Sequence, residues 1–196
     1  MWRHQPRVAG LLWRVSAGEI GELRMVRSSF SFPIDPGDWR LDAARGGGAL
    51  WDVGTYGVSA ARLFAGSEPV QIQASAHFGP TGVDLSLAAI LHFPGDVLGV
   101  IDCSFEQPFR QTYELIGTKG SIEVADAYLP SEQPTATLRA NDGSLQILPA
   151  FNGVNQYSAM VDSFARGLEG GMTCPSEDGL QQMMVLEQVR TAAQRK

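Results

Sequence analysis

Between residues 70 and 148 the sequence crowds seven strand-like runs, at 70–78, 83–93, 96–105, 110–117, 120–126, 135–139 and 144–148. Parallel neighbours need a crossover of about a dozen residues or more, so runs this closely spaced pair antiparallel. The connections "GPTGV", "PGD" and "GTKG" carry the Gly and Pro content of hairpin turns. Residues 83–93 alternate, with Val83, Leu85, Leu87, Ala89, Leu91 and Phe93 on a core face and Asp84, Ser86, Ala88, Ile90 and His92 opposite. The opposite face is mixed, with Gln71, Gln73, Ser75 and His77 in one run and Leu98, Val100, Asp102 and Ser104 in another. Two readings stay open for it, a solvated surface or a subunit contact.

Helical periodicity flanks these strands. Val8, Leu11, Leu12 and Val15 are spaced for a helix over 4–17, and Gly18 stands where a left-handed cap would end it. "GELRMVRSSFSF" reads as a half-buried strand that stops at Pro33, and the segment from there to Gly48 reads as a loop. Two closing helices carry Met160, Phe164 and Leu168, and Leu180, Met184, Val185 and Val189, as stripes expected to be buried. The fold class expected is α+β, an open, mostly antiparallel sheet with helices packed on one face, forming a single domain over residues 1–196.

Composition excludes several partners. A net charge of -6 opposes the phosphate backbone, so no nucleic-acid partner is expected. The longest apolar stretches, such as "LSLAAILHF", fall short of the roughly 18 to 20 residues a membrane helix needs. No signal-peptide core opens the chain, so no membrane partner and a cytoplasmic location are expected. Cys103 and Cys174 read as unrelated thiols, and His4, His77 and His92 are scattered, so no metal site is expected.

The segment "GGGALWDVGTYGVSAARLFAG", residues 46–66, is either a packed core helix that displays two polar groups or part of a site that handles a proton. On a helix, Leu50, Val53, Gly57, Ala61 and Phe64 form the core stripe, and Asp52, Tyr56, Ser59 and Leu63 form the stripe beside it. Residues at i and i+4 have Cβ atoms about 5–6 Å apart, so Asp52 and Tyr56 can act on one small object. Gly46, Gly47 and Gly48 would leave backbone N–H groups free at the positive end of the helix for an anion or polar ligand. Gly54 and Gly57 each lower helix stability by about 0.5–1 kcal/mol relative to Ala, so something approaches that backbone closely, a packed sheet or a ligand.

"GDWRLDAARGGGALWDVGTYGVSAARLFAG" resembles the signature segment of the glucose-fructose oxidoreductase, inositol dehydrogenase and rhizopine-catabolism family, Gfo/Idh/MocA. "GEIGELRMVRSSFSF" and "YELIGTKGSIEV" resemble its flanking strands, and "NQYSAMVDSFARGLEGG" with "SEDGLQQMMVLEQVRTA" resembles its closing helices. The resemblance implies the C-terminal, substrate-lining domain of an NAD- or NADP-dependent oxidoreductase of a sugar, polyol or related carbinol, whose sheet face commonly makes a homo-oligomer. It implies that Asp52 orients or relays, that Tyr56 is the acid/base, and that Trp39, Arg40, Gly47 and Gly48 contact substrate. Arg40 has a second possible use, a salt bridge to Asp38 or Asp42.

The glycine fingerprint of the family's N-terminal Rossmann domain and its catalytic lysine have no counterpart in this sequence. No cofactor-binding residue can be named, the chain alone is expected to be inactive and to bind neither NAD nor NADP, and it reads as a truncated product, a mis-assigned start or a fragment. Arg3 and His4, at the boundary with that domain, are expected to fray. A non-catalytic module that dimerises through its sheet remains the alternative.

Overall fold

The computed structural model describes residues 1–149, 154–168 and 176–195; Cys174 lies outside them. After a 3-10 turn at Trp2–His4, helix α1 (Pro6–Ser16) starts on proline, whose missing N–H costs nothing there. It ends in a left-handed Gly18 (φ 75°), with Gly18 N–H donating to the Val15 carbonyl at 3.0 Å and Glu19 N–H to that of Arg14 at 3.1 Å. Strand β1 (Leu23–Ser31) follows, then a loop with 3-10 turns at Trp39–Leu41 and Ala43–Arg45. A π-helical turn, Leu50–Gly54, runs directly into α2 (Thr55–Ala65).

Seven more strands come next: β2 (Gln71–Phe78), β3 (Asp84–Phe93), β4 (Val97–Ser104), β5 (Arg110–Gly117), β6 (Gly120–Val124), β7 (Ala136–Ala140) and β8 (Leu145–Leu148). Helices α3 (Gln156–Leu168) and α4 (Ser176–Gln194) close the chain. The strands form one open sheet in the order β2-β3-β4-β1-β5-β6-β7-β8. Strands β1 and β4 run parallel and the other neighbours are antiparallel; short connections between consecutive strands account for every antiparallel pair except β1–β5, whose strands lie far apart in the chain. The fold is therefore α+β with a mostly antiparallel sheet.

One face of the sheet carries the core. Val26 and Phe30 of β1, Leu87 and Leu91 of β3, Ile101 of β4 and Leu115 of β5 are buried with Val58, Ala61 and Phe64 of α2 and Val185, Leu186 and Val189 of α4. Glycine lets α2 sit close: a Cβ on Gly57 would lie 2.7 Å from Ile101 Cγ2, and one on Gly54 2.8 Å from the Cys103 sulfur. The partner implied by those helical glycines is thus the sheet. On the outward face of β3, Ala88 and Ile90 are exposed. Among the described residues no helix is long and apolar enough to cross a membrane.

Two local expectations need correction. The sheet pairing shifts register between His77 and Phe78, setting Phe78 opposite Asp84. A bulge of this kind reverses the inward and outward alternation, so Asp84 turns into the protein and is buried. The closing helices also bury other positions than expected: Phe164 is 67% exposed, Leu180 61% and Met184 48%, while Val185 and Val189 are buried. Periodicity finds an apolar stripe without saying which side is docked. Helix α3 docks through Gln156, whose amide donates to the Tyr128 carbonyl at 3.1 Å, and buries Ser163.

Candidate active site

Asp52 lies inside the π turn and Tyr56 in the first turn of α2, and both are half-buried, as are Ser59 and Leu63. The expected core stripe, Leu50, Val53, Gly57, Ala61 and Phe64, is buried beside them. A π turn inside a helix is rare and recurs at functional sites. The Tyr56 ring is held by two neighbours, Phe30 at 5.4 Å and Tyr128 at 5.1 Å between centroids. Tyr128 is fixed in turn, stacked on Phe30 at 5.6 Å and sharing a 2.6 Å hydrogen bond with the Ser28 hydroxyl. The Tyr56 hydroxyl donates to the Met1 sulfur at 3.8 Å.

Burial pushes the Tyr56 phenol above its ordinary value, and the neighbouring Tyr157 and the Asp52 carboxylate push the same way. The group is consequently a proton donor at neutral pH. Asp52 has a cation of its own, because Arg40 Nε stands 2.9 Å from its Oδ1. Arg40 also pairs with Asp38 at 3.3 Å, and its guanidinium lies 5.0 Å over the Trp39 ring. The Asp52 carboxylate beside it raises the Arg40 pKa. Of the two acids proposed from the sequence as Arg40 partners, Asp38 is used, whereas Asp42 accepts from the Ala44 N–H at 2.9 Å.

The glycine run differs from expectation. Gly47 N–H donates to the Asp42 carbonyl at 3.0 Å and Gly48 N–H to that of Arg40 at 2.9 Å, so neither is free. The Leu50 N–H donates to Asp84 Oδ2 at 2.6 Å, and the positive end of the helix is therefore occupied by the protein's own carboxylate. Close approach explains the glycines instead: a Cβ on Gly47 would fall 2.2 Å from the Arg40 carbonyl oxygen, and Gly48 adopts φ 124°. Arg3 does not fray, since its Nε donates to the Ser59 hydroxyl at 2.9 Å and its NH1 to Asp178 at 2.7 Å.

The structure thus brings Trp39, Arg40, Asp52 and Tyr56 to one side of α2 and uses the Gly47 and Gly48 amides internally. Sequence reasoning missed Asp84 and Tyr128. Nothing in the alternation marks Asp84 as inward, because its phase is that of the outer face until the bulge is known. What the assembled groups can do is move a proton. The glycine-preceded start of the π turn, where a pyrophosphate would seek free N–H groups, is filled by Asp84. Among the described residues no cluster of His, Cys, Asp and Glu could hold a metal ion.

Comparison with known proteins matches residues 13–123 to the GFO/IDH/MocA C-terminal domain. A D-xylose 1-dehydrogenase (NADP(+)) of Haloferax volcanii is 33% identical over 88% of this chain and 54% of its own length. The crystal structure of a 3-ketoreductase from Actinomadura kijaniata with NADP and TDP-benzene superposes with a TM-score of 0.85 at 29% identity, over 97% of this chain and 60% of that one. An aldose-aldose oxidoreductase from Caulobacter crescentus, complexed with glycerol, gives 0.87 at 29% identity, over 98% and 59%. The chain therefore spans only 54% to 60% of the length of these relatives.

Proposed function

The chain belongs to the GFO/IDH/MocA family through that family's C-terminal domain, and from that premise we propose that it is the substrate-binding and oligomerisation portion of an NAD(P)-dependent oxidoreductase of a sugar, polyol or related carbinol. It acts as one domain over residues 1–196, with the nicotinamide cofactor held by protein outside it. A nicotinamide held there would supply the hydride chemistry at the substrate carbon. This chain handles the proton: Tyr56 donates to the carbonyl oxygen in reduction and, as its phenolate, accepts from the hydroxyl in oxidation, and Asp52, paired with Arg40, orients the reacting groups or relays the proton. Trp39 and Arg40, partly exposed ahead of the glycines, border the substrate.

The observation that carries this reading is the shared half-buried stripe of Asp52 and Tyr56, with Arg40 paired to the carboxylate. The sugar-directed activities named for the relatives support the reaction class. In a protein that joins this chain to a nicotinamide-binding unit, Tyr56→Phe is expected to lower turnover by about 10²–10⁴-fold with cofactor affinity retained. Near-normal rates would discard the assignment. The same substitution should remove, from an ultraviolet titration of the 196-residue chain, a phenol that ionises above about 10, the ordinary tyrosine value. Calorimetry of the chain alone with NAD and with NADP should show no micromolar binding, and clear binding would contradict the division of labour.

A further inference from the structure

We propose that Asp84 is a positioning residue that sets the placement of Asp52 and Tyr56 by pinning the start of the π turn between them and the sheet. This inference rests on the proton-handling role given to that pair. The bulge at the head of β3 rotates Asp84 from the outward to the inward face. From there Oδ2 accepts the Leu50 N–H at 2.6 Å, while Oδ1 lies so close to Gly48 that a Cβ on that residue would fall 2.3 Å away. Both contacts fall just ahead of Asp52. At the far end of the same turn the Cys103 sulfur packs against Gly54. Asp52 is thus slung between two fixed points, and Tyr56 begins the helix that leaves the second.

A cap of ordinary structural value would not need this chemistry. Burial pushes the Asp84 carboxyl above the ordinary carboxylate range, so the fold gains stability as pH falls through that raised value toward the unfolded carboxyl value. The ionised form is offset by the helix start, where N–H groups and the backbone dipole favour an anion. An apolar side chain would remove the charge but leave the Leu50 N–H buried without a partner. What the carboxylate adds is a fixed distance between β3 and the turn that bears Asp52.

The test uses the 196-residue chain labelled at the tyrosine Cζ, read by NMR together with backbone amide exchange. In Asp84→Ala, the Leu50 amide should exchange at least about tenfold faster, the loss of one charge-assisted hydrogen bond. The Tyr56 resonance, assigned by its disappearance in Tyr56→Phe, should move, while that of the buried Tyr113, which does not touch Tyr56, holds its position. Asp84→Asn keeps a carbonyl acceptor and should recover most of both signals. A Tyr56 resonance unmoved in Asp84→Ala overturns the proposal. So does loss of the fold in both variants, or an equal shift of Tyr56 and Tyr113, because Asp84 would then serve the fold as a whole. Neither readout depends on turnover, so a chain that fails as part of an oxidoreductase still tests the clamp.

Discussion

Arg40 ties the loop ahead of the glycines to the helix behind them, meeting Asp38 at 3.3 Å and Asp52 at 2.9 Å. The side chains are about a quarter to a third exposed, where solvent screening leaves an ion pair worth under about 1 kcal/mol. The value of the contact therefore lies in the orientation of the Asp52 carboxylate. Arg40→Met is expected to leave the free energy of urea unfolding within about 1 kcal/mol of wild type. It should lower turnover of an enzyme carrying this chain by up to about 10²-fold, the scale of a small misplacement in an active site. The opposite pattern, lost stability with intact rate, would reduce the pair to a loop fastening. The Asp52–Tyr56 pairing was legible because helical spacing is a local property. Asp84 was not, because its inward turn depends on a strand register that residues on another strand determine.

At the scale of elements, the union of α2 with the sheet depends on small residues on both surfaces. Gly54 meets Cys103, Gly57 meets Ile101 and Ser28, and Gly99 of β4 meets Ala61 of α2. An alanine at position 54 would gain up to about 1 kcal/mol in helix propensity, yet its methyl would stand 2.8 Å from the Cys103 sulfur. Overpacking of this kind costs about 1–3 kcal/mol, so Gly54→Ala should lower the thermal midpoint. Cys103→Ala in the same chain should recover part of the loss, and simple additivity of the two would refute direct contact. Strand positions were readable from alternation and turn residues, as in β3 and β4. The docked side of α3 was not, since it buries Gln156 and Ser163 and presents Phe164 outward.

Seen whole, the molecule is a sheet covered on one side. The bare side carries Ile90, 39% exposed, opposite Val100 in the register. Nearby, Asp102 is joined to Arg110 at 2.5 Å. Two such faces can stack about 10 Å apart with their side chains interleaved, and this is the surface through which we propose that copies associate. Light scattering on the purified chain should give a multiple of 21.1 kDa, and Ile90→Lys should return it to the single-chain mass. A monomer at tens of micromolar would remove the sheet face from that role.

Strand β1, in the middle of the sheet, pairs with residues 98–104 and 110–117, which the chain supplies long after it. Hairpins to either side can zip locally, whereas pairing across such separations is slow to nucleate. The residues of α2 precede those of β4 and β5 in the chain, so in N- to C-terminal synthesis they appear before the sheet that the helix packs on. The turn that carries Asp52 and Tyr56 would accordingly be seated late in maturation, when the distant strands arrive and lock the central one in place.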